Sequence, residues 1–215
     1  MSVVNTTTSL DSIITIHPLD STRVNDMVSI NSIVLPVSYH SKVYDQMVSD
    51  RLSFIAYLKT ESNGSSGEKE IPVGAIGCIL KTDVHASPDH VGLCIASLAV
   101  LAKYRSKGIG AKLLERVMQA LDEWLKASSS SLEISSNHHE EPLQEESLNS
   151  TSSSSEFIVY LQTQTNNRDA IKFYERHGFQ VLKKVENFYK RLTPPDCFVL
   201  VLKRKIESIQ NQILK

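Results

Sequence analysis

Residues 98–113 read Leu-Ala-Val-Leu-Ala-Lys-Tyr-Arg-Ser-Lys-Gly-Ile-Gly-Ala-Lys-Leu, and no other stretch restricts the fold as much. Gly92 to Leu101 is almost wholly apolar, as a strand buried on both faces must be. A polar turn follows, then a helix from Ile109 to about Lys126. Its apolar positions Leu113, Leu114, Val117, Leu121, Trp124 and Leu125 keep a 3.6-residue spacing. A helix that starts at such a turn offers unpaired N–H groups and the positive end of its dipole. Gly108 and Gly110 remove the Cβ atoms that would hold phosphate oxygens off the backbone, and Arg105 and Lys107 add positive charge. A purely structural turn has the same spacing. The strand before it and the helix after it favour a phosphate-holding loop. It is not a G-x-x-x-x-G-K-[ST] loop, and no G-x-G-x-x-G follows an early strand, so the common nucleotide folds are excluded.

The rest of the chain alternates around this segment. Ile13 to Ile16 is a short strand. Asp20 or Ser21 caps a helix that carries Val24, Met27, Val28, Val34 and Leu35 and stops at Pro36. Tyr44 to Val48 is a second, short helix. Phe54 to Leu58 and Val73 to Leu80 form a hairpin around a Gly/Ser-rich turn, a polar insertion over residues 60–70. Phe157 to Leu161 is an apolar strand. Asn167 starts a helix closed by Gly178 at the position after its C-cap. Val181 to Tyr189 and Phe198 to Leu202 are the last strands. This order gives an α/β fold, a mixed sheet with helices on both faces.

At 215 residues the chain fits one domain over 13–206, flanked by tails at 1–12 and 207–215. Residues 127–155 depart from that pattern: twelve of the 29 are serine, and Glu133, Glu140, Glu141, Glu145 and Glu146 add negative charge without any Lys or Arg. Such a segment buries too little apolar surface to offset its chain entropy, so a disordered insertion is expected. His138-His139 lies within it without a third ligand at metal spacing, and no metal is expected. A net charge of −1 argues against nucleic acid as partner. No run of eighteen apolar residues and no secretory pattern is present, so no membrane is expected. Cys78, Cys94 and Cys197 lie in apolar text and read as reduced thiols of a cytoplasmic protein, with the nucleus as a further compartment.

A second motif, Asn167-Arg-Asp-Ala170-Ile-Lys-Phe173-Tyr174-Glu-Arg-His-Gly178-Phe179, sets Phe173 and Tyr174 side by side on one helix. Phe173 reads as core. A buried Tyr174 needs a partner for its hydroxyl. Together the two motifs, in this order, resemble the [RQ]-x-x-G-x-[GA] and N-x-x-[AS]-x-x-[FL]-Y-x-x-x-G-F segments of the GNAT acetyltransferases. The resemblance implies a GNAT fold: a mixed, mostly antiparallel central sheet with flanking helices, and a cofactor cleft where the strands of 92–101 and 157–161 splay apart. It implies acetyl-CoA as cosubstrate, held by Leu98, Ala99, Val100, Arg105, Ser106, Lys107, Gly108, Ile109, Gly110 and Ala111, and by Asn167, Ala170, Phe173 and Tyr174. Tyr174 would return a proton to the departing sulfur.

Leu35-Pro-Val-Ser-Tyr39 and Asn187-Phe-Tyr-Lys-Arg-Leu192 narrow the likeness to the San-type catalytic subunits of NatE complexes. That resemblance implies acetylation of protein N-termini, Met-retaining ones first. Leu35, Pro36, Val37, Tyr39 and Ala96 would line one wall of the peptide groove and Phe188, Tyr189, Lys190 and Arg191 the other. It also implies subunits of a NatA-type complex as partners, in which a chain of this kind could serve as a weakly active or inactive part. Cys94 and Gln162 fall where the family carries a general-base Tyr and His, which makes them this chain's catalytic candidates. Cys94 reads either as a thiolate base or as a small packing residue.

Overall fold

A computed structural model describes residues 13–61, 68–81, 92–133 and 156–205. The elements run β1 (Ile14–Pro18), α1 (Val24–Val34), α2 (Ser41–Asp50), β2 (Phe54–Glu61), β3 (Glu68–Lys81), β4 (Gly92–Val100), a 3₁₀ turn (Ala102–Tyr104), α3 (Ile109–Glu133), β5 (Glu156–Gln164), α4 (Arg168–Arg176), β6 (Gln180–Val185) and β7 (Cys197–Lys205). The seven strands form one sheet in the order β1-β2-β3-β4-β5-β7-β6. Every neighbouring pair is antiparallel except β4 with β5.

Apolar periodicity puts helices on both faces. Leu113, Leu114, Val117 and Leu121 of α3 are buried against Phe54, Val73, Ile76, Leu93 and Ile95, with Tyr174 and Phe179 completing that layer. On the opposite face Met27 and Ile30 of α1 and Tyr44 and Met47 of α2 cover Ile55, Tyr57, Ala75 and Ala99. The fit there is close: a Cβ on Gly77 would lie 2.6 Å from Met47 Cε and 2.8 Å from Ser97 Oγ.

Several boundaries differ from the sequence reading. Neither Asp20 nor Ser21 caps α1. The Asp20 carboxylate closes the preceding turn instead, accepting from Thr22 N at 2.9 Å and Arg23 N at 3.1 Å, and Arg23 is the N-cap without a side-chain cap bond. Pro36 does end α1, by forcing Leu35 to extended backbone (φ −96°, ψ 143°). Helix α2 spans ten residues rather than five. The β2–β3 ladder continues to Glu61↔Glu68, so the ends of the 60–70 insertion are paired strand. Helix α3 runs to Glu133, seven residues into the stretch read as disordered. Residues 134–155, with His138-His139, and the two terminal tails lie outside the described residues. Strand β6 stops at Val185, four residues short of Tyr189, because Asn187 takes left-handed backbone (φ 54°) and opens a loop.

Candidate active site

Strands β4 and β5 pair at Gly92↔Ile158, Leu93↔Val159 and Cys94↔Tyr160 only. Beyond Cys94 they diverge, and the sheet opens into a fork. A bulge helps to open it. Gly77 pairs with Ser97 and Cys78 with Ile95, which leaves Ala96 without a partner on β3. An extra residue in one strand bends it and turns a carbonyl out of the ladder.

The α3 end of the fork is the loop that the sequence singled out. Leu101 runs into the 3₁₀ turn, Ser106 takes positive φ (59°), Gly108 takes φ 79°, and Lys112 N donates to Gly108 O at 3.0 Å as the first bond of α3. The N–H groups of Ile109, Gly110 and Ala111 therefore have no carbonyl of their own helix to bind. Residues 105–108 are exposed. A Cβ at Gly108 would meet nothing within 4 Å, so the space over the helix start is open. This geometry fits an anionic diphosphate. Arg105 has a structural part as well: its Nε donates to Val100 O at 2.9 Å and latches the loop to the strand end. Lys107 is exposed beside it.

Helix α4 forms the facing wall. Asn167 Oδ1 accepts from Ala170 N at 3.3 Å as N-cap. Gly178 N donates to Glu175 O and Phe179 N to Tyr174 O, with Gly178 at φ 86°, so the helix ends in a Schellman motif. Phe173 reaches α3: a Cβ on Gly110 would lie 3.6 Å from its ring. Leu98, Val100 and Ala170 border this layer. The methyl of Ala99 points to the opposite face among α1 and α2, so only its backbone is left for a cleft role.

The apex holds the three catalytic candidates. Cys94 is buried, its thiol 4.0 Å from Gln162 Oε1. Burial pushes the thiol up to about 11, against a hydrogen bond from Tyr160 and the field of Lys81 that lower it. Burial thus favours the thiol form of Cys94 at neutral pH, the form a packing residue takes. Tyr174 is buried, edge-on to Phe173 (5.1 Å) and Phe179 (5.2 Å). Burial first, then the nearby Cys78, Tyr39 and Cys94, keep it protonated. Tyr160 is a site residue that sequence reasoning missed. It faces Cys94 by strand register, and an isolated apolar strand gives no register.

The groove residues split unequally. From the α1–α2 segment, Tyr39 donates its hydroxyl to the bulge carbonyl of Ala96 and sits edge-on to Tyr44. From the β6–β7 loop, Tyr189 donates to Gln162 O at 3.3 Å. Both phenols are raised first by burial; Tyr189 and Cys94 act on Tyr39, and Cys197 and Cys94 act on Tyr189, so the structure brings both walls to the apex. The β6–β7 loop is tied by Asp196, which accepts from Asn187 N at 3.0 Å and pairs with Lys184 at 2.6 Å. Leu35 and Ala96 border the α1–α2 core, and Val37 is half-buried. Pro36, Phe188, Lys190 and Arg191 are exposed. Asn31, not foreseen, is buried between Tyr44 (3.4 Å) and Ser97 (3.5 Å) and ties α1 to the bulged strand. Among the described residues no group of His, Cys, Asp and Glu could hold a metal.

Residues 54–181 match the family model described as an acetyltransferase (GNAT) domain. The chain is 28% identical over 179 residues to N-alpha-acetyltransferase 50 of Danio rerio, covering 83% of this chain and 81% of that one. It is 27% identical to the probable N-acetyltransferase san of Drosophila melanogaster, over 83% of this chain and 74% of the other. Among solved structures it superposes on Arabidopsis thaliana Naa50, in complex with the bisubstrate analogue CoA-Ac-MVNAL, with a TM-score of 0.62 and 26% identity, covering 88% of this chain and 97% of that one.

Proposed function

The chain belongs to the GNAT acetyltransferase family, and from that premise we propose that it transfers acetyl from acetyl-CoA to the α-amino group of protein N-termini, Met-retaining ones first. One observation carries the reading: an open space over the start of α3 lies beside a fork on whose apex two tyrosines converge from opposite walls. The backbone N–H groups of Ile109 to Ala111 would hold the pyrophosphate, and Phe173 and Asn167 would flank it. Acetyl-CoA supplies an activated acyl group. Tyr39 and Tyr189 would sit beside the incoming terminus, and Leu35, Val37 and Phe188 would bury its first side chain. The similarity to a plant enzyme solved with a CoA–peptide analogue supports both halves of this assignment.

Calorimetric titration with acetyl-CoA, followed by a peptide array of varied N-termini, tests it. Saturable binding with turnover of Met-Leu and similar Met-apolar peptides is expected. Binding without turnover of any peptide would sink the enzyme reading.

A second reading has one observation in its favour. The apex carries a protonated thiol and an amide, Cys94 and Gln162, where a base would be useful. On that reading the chain is a weakly active or inactive subunit of a NatA-type assembly. Co-purification with a helical scaffold subunit, with unchanged N-terminal acetylation in a Gly108→Trp strain, would favour it. Three buried free thiols suit the cytoplasm on either reading.

A further inference from the structure

Among the described residues, the side chains that gather at the fork are phenols, thiols and an amide. Tyr39 enters from the α1–α2 segment, Cys94 from β4, Tyr160 and Gln162 from β5, Tyr174 from α4 and Tyr189 from the β6–β7 loop. Behind them stand Tyr44 of α2, Cys78 of β3 and Cys197 of β7. Two charged groups reach this set: Lys81, at the end of β3, acts on Cys94, and Asp196 acts on Cys197. The nearby histidines face elsewhere. His40 is exposed as the N-cap of α2, and His177 is exposed and bonded to Phe173 O at 2.7 Å. Among the described residues no histidine or carboxylate is hydrogen-bonded to Tyr39, Cys94, Tyr174 or Tyr189.

The hydrogen bonds settle what the two groove phenols can do. Each has committed its proton to a backbone carbonyl, Tyr39 to Ala96 and Tyr189 to Gln162. Each therefore offers only lone pairs to an arriving amine, which can accept an N–H bond and orient the nitrogen. Burial keeps both phenols protonated, so neither can take the proton away. Gln162 has no basic nitrogen.

We propose that the described residues of the fork supply no general base, so that the amine reacts only when it arrives in its neutral form, and α-amines are thereby selected over lysine side chains by basicity. This rests on the N-terminal reading above. The reaction balances without a base. The neutral nitrogen attacks the thioester carbonyl, the C–N bond forms and the C–S bond breaks. The surplus proton on nitrogen ends on the departing sulfur as a thiol. Tyr174, a phenol in the same set, can give a proton to sulfur and be refilled from nitrogen, with no net change on the protein. An α-amine with a pKa of about 7.7–8.0 is roughly one-tenth neutral at pH 7, whereas a lysine near 10.4 is so in about four molecules per ten thousand. Basicity alone then favours the terminus by roughly 300-fold.

The test is kcat/KM of the full chain against pH for two peptides, one with an ordinary Met-Leu start and one whose fluorinated first side chain lowers the amine pKa. The curve should rise about tenfold per pH unit, level at the pKa of whichever peptide is used, and move with it. Gln162→His should add a second inflection in the imidazole range and raise the rate below pH 7, by up to about 10²-fold. An inflection that stays in place when the peptide is changed reveals a base in the unmodified protein and overturns the inference, whether or not the variant folds. Absence of all turnover overturns the proposed function itself, and this inference with it.

Discussion

At the scale of single residues, burial decides the chemistry of the apex. A thiol beside a tyrosine hydroxyl and within reach of a lysine's field would ordinarily acidify, yet removal from water outweighs both at Cys94 and holds it near 11. Reactivity toward an alkylating agent follows the thiolate. The rate of Cys94 modification by iodoacetamide, followed by peptide mass spectrometry, should climb about tenfold per pH unit from 7 to 10 without levelling. A plateau near the ordinary thiol value would mean that Cys94 is wetter than the fold indicates and would reopen its candidacy as a base. Cys94 and Gln162 were singled out in the sequence only because they fall where the resembled family carries its base pair. Their effect was not legible, since a residue's proton affinity depends on what the fold removes from water and sets beside it. Tyr160 makes the same point: its meeting with Cys94 exists only through the parallel register of two strands separated by α3.

At the scale of elements, turn chemistry was readable wherever a residue type is nearly obligatory. Gly178 was identified as the residue after the α4 C-cap, and it sits at φ 86° inside a Schellman pair of hydrogen bonds. A Cβ there would meet Leu202 at 3.5 Å, an ordinary contact, so the cost of Gly178→Ala is one of backbone strain rather than space. It should lower stability by about 1–2 kcal/mol. Asn167→Ala, which removes the N-cap acceptor at the other end of α4, should cost about 1 kcal/mol. Chemical denaturation of the two single variants and the double variant checks this. The substitutions at Asn167 and Gly178, on opposite ends of a nine-residue helix, should cost nearly additively. Where the signal was permissive rather than obligatory, the reading slipped. Asp20 suits a turn as well as a cap, and its carboxylate was taken by Thr22 and Arg23. The β6 limit at Val185 followed from Asn187 adopting left-handed backbone, which a β-rich sequence does not announce.

At the scale of the whole molecule, the β4–β5 fork is both the opening and the structural weakness. Three residue pairs join those two strands at the closed end. Beyond them, α3 and α4 must span the gap, with Phe173 against Gly110 as one of their contacts. The overall architecture was legible from the alternation of elements, because helix and strand periodicities and the glycine loop each admit few arrangements. The inner geometry of the gap was not, because it depends on an unpaired Ala96 and on two tyrosines reaching carbonyls far away in sequence. A cosubstrate held at the α3 N-terminus and along the fork should tie the two halves together. At a hundredfold excess over its Kd it should add about 2.7 kcal/mol. For a chain of this size that is a rise of roughly 5–10 °C in Tm. Gly108→Trp should abolish the rise by filling the open space over the helix start. The unliganded Tm should fall by only a few degrees, since a non-glycine residue at φ 79° costs about 1–2 kcal/mol. Differential scanning calorimetry of both proteins, with and without acetyl-CoA, separates these effects. A variant that folds and keeps the full ligand-induced rise would move the diphosphate off this loop and remove the foundation of the functional assignment.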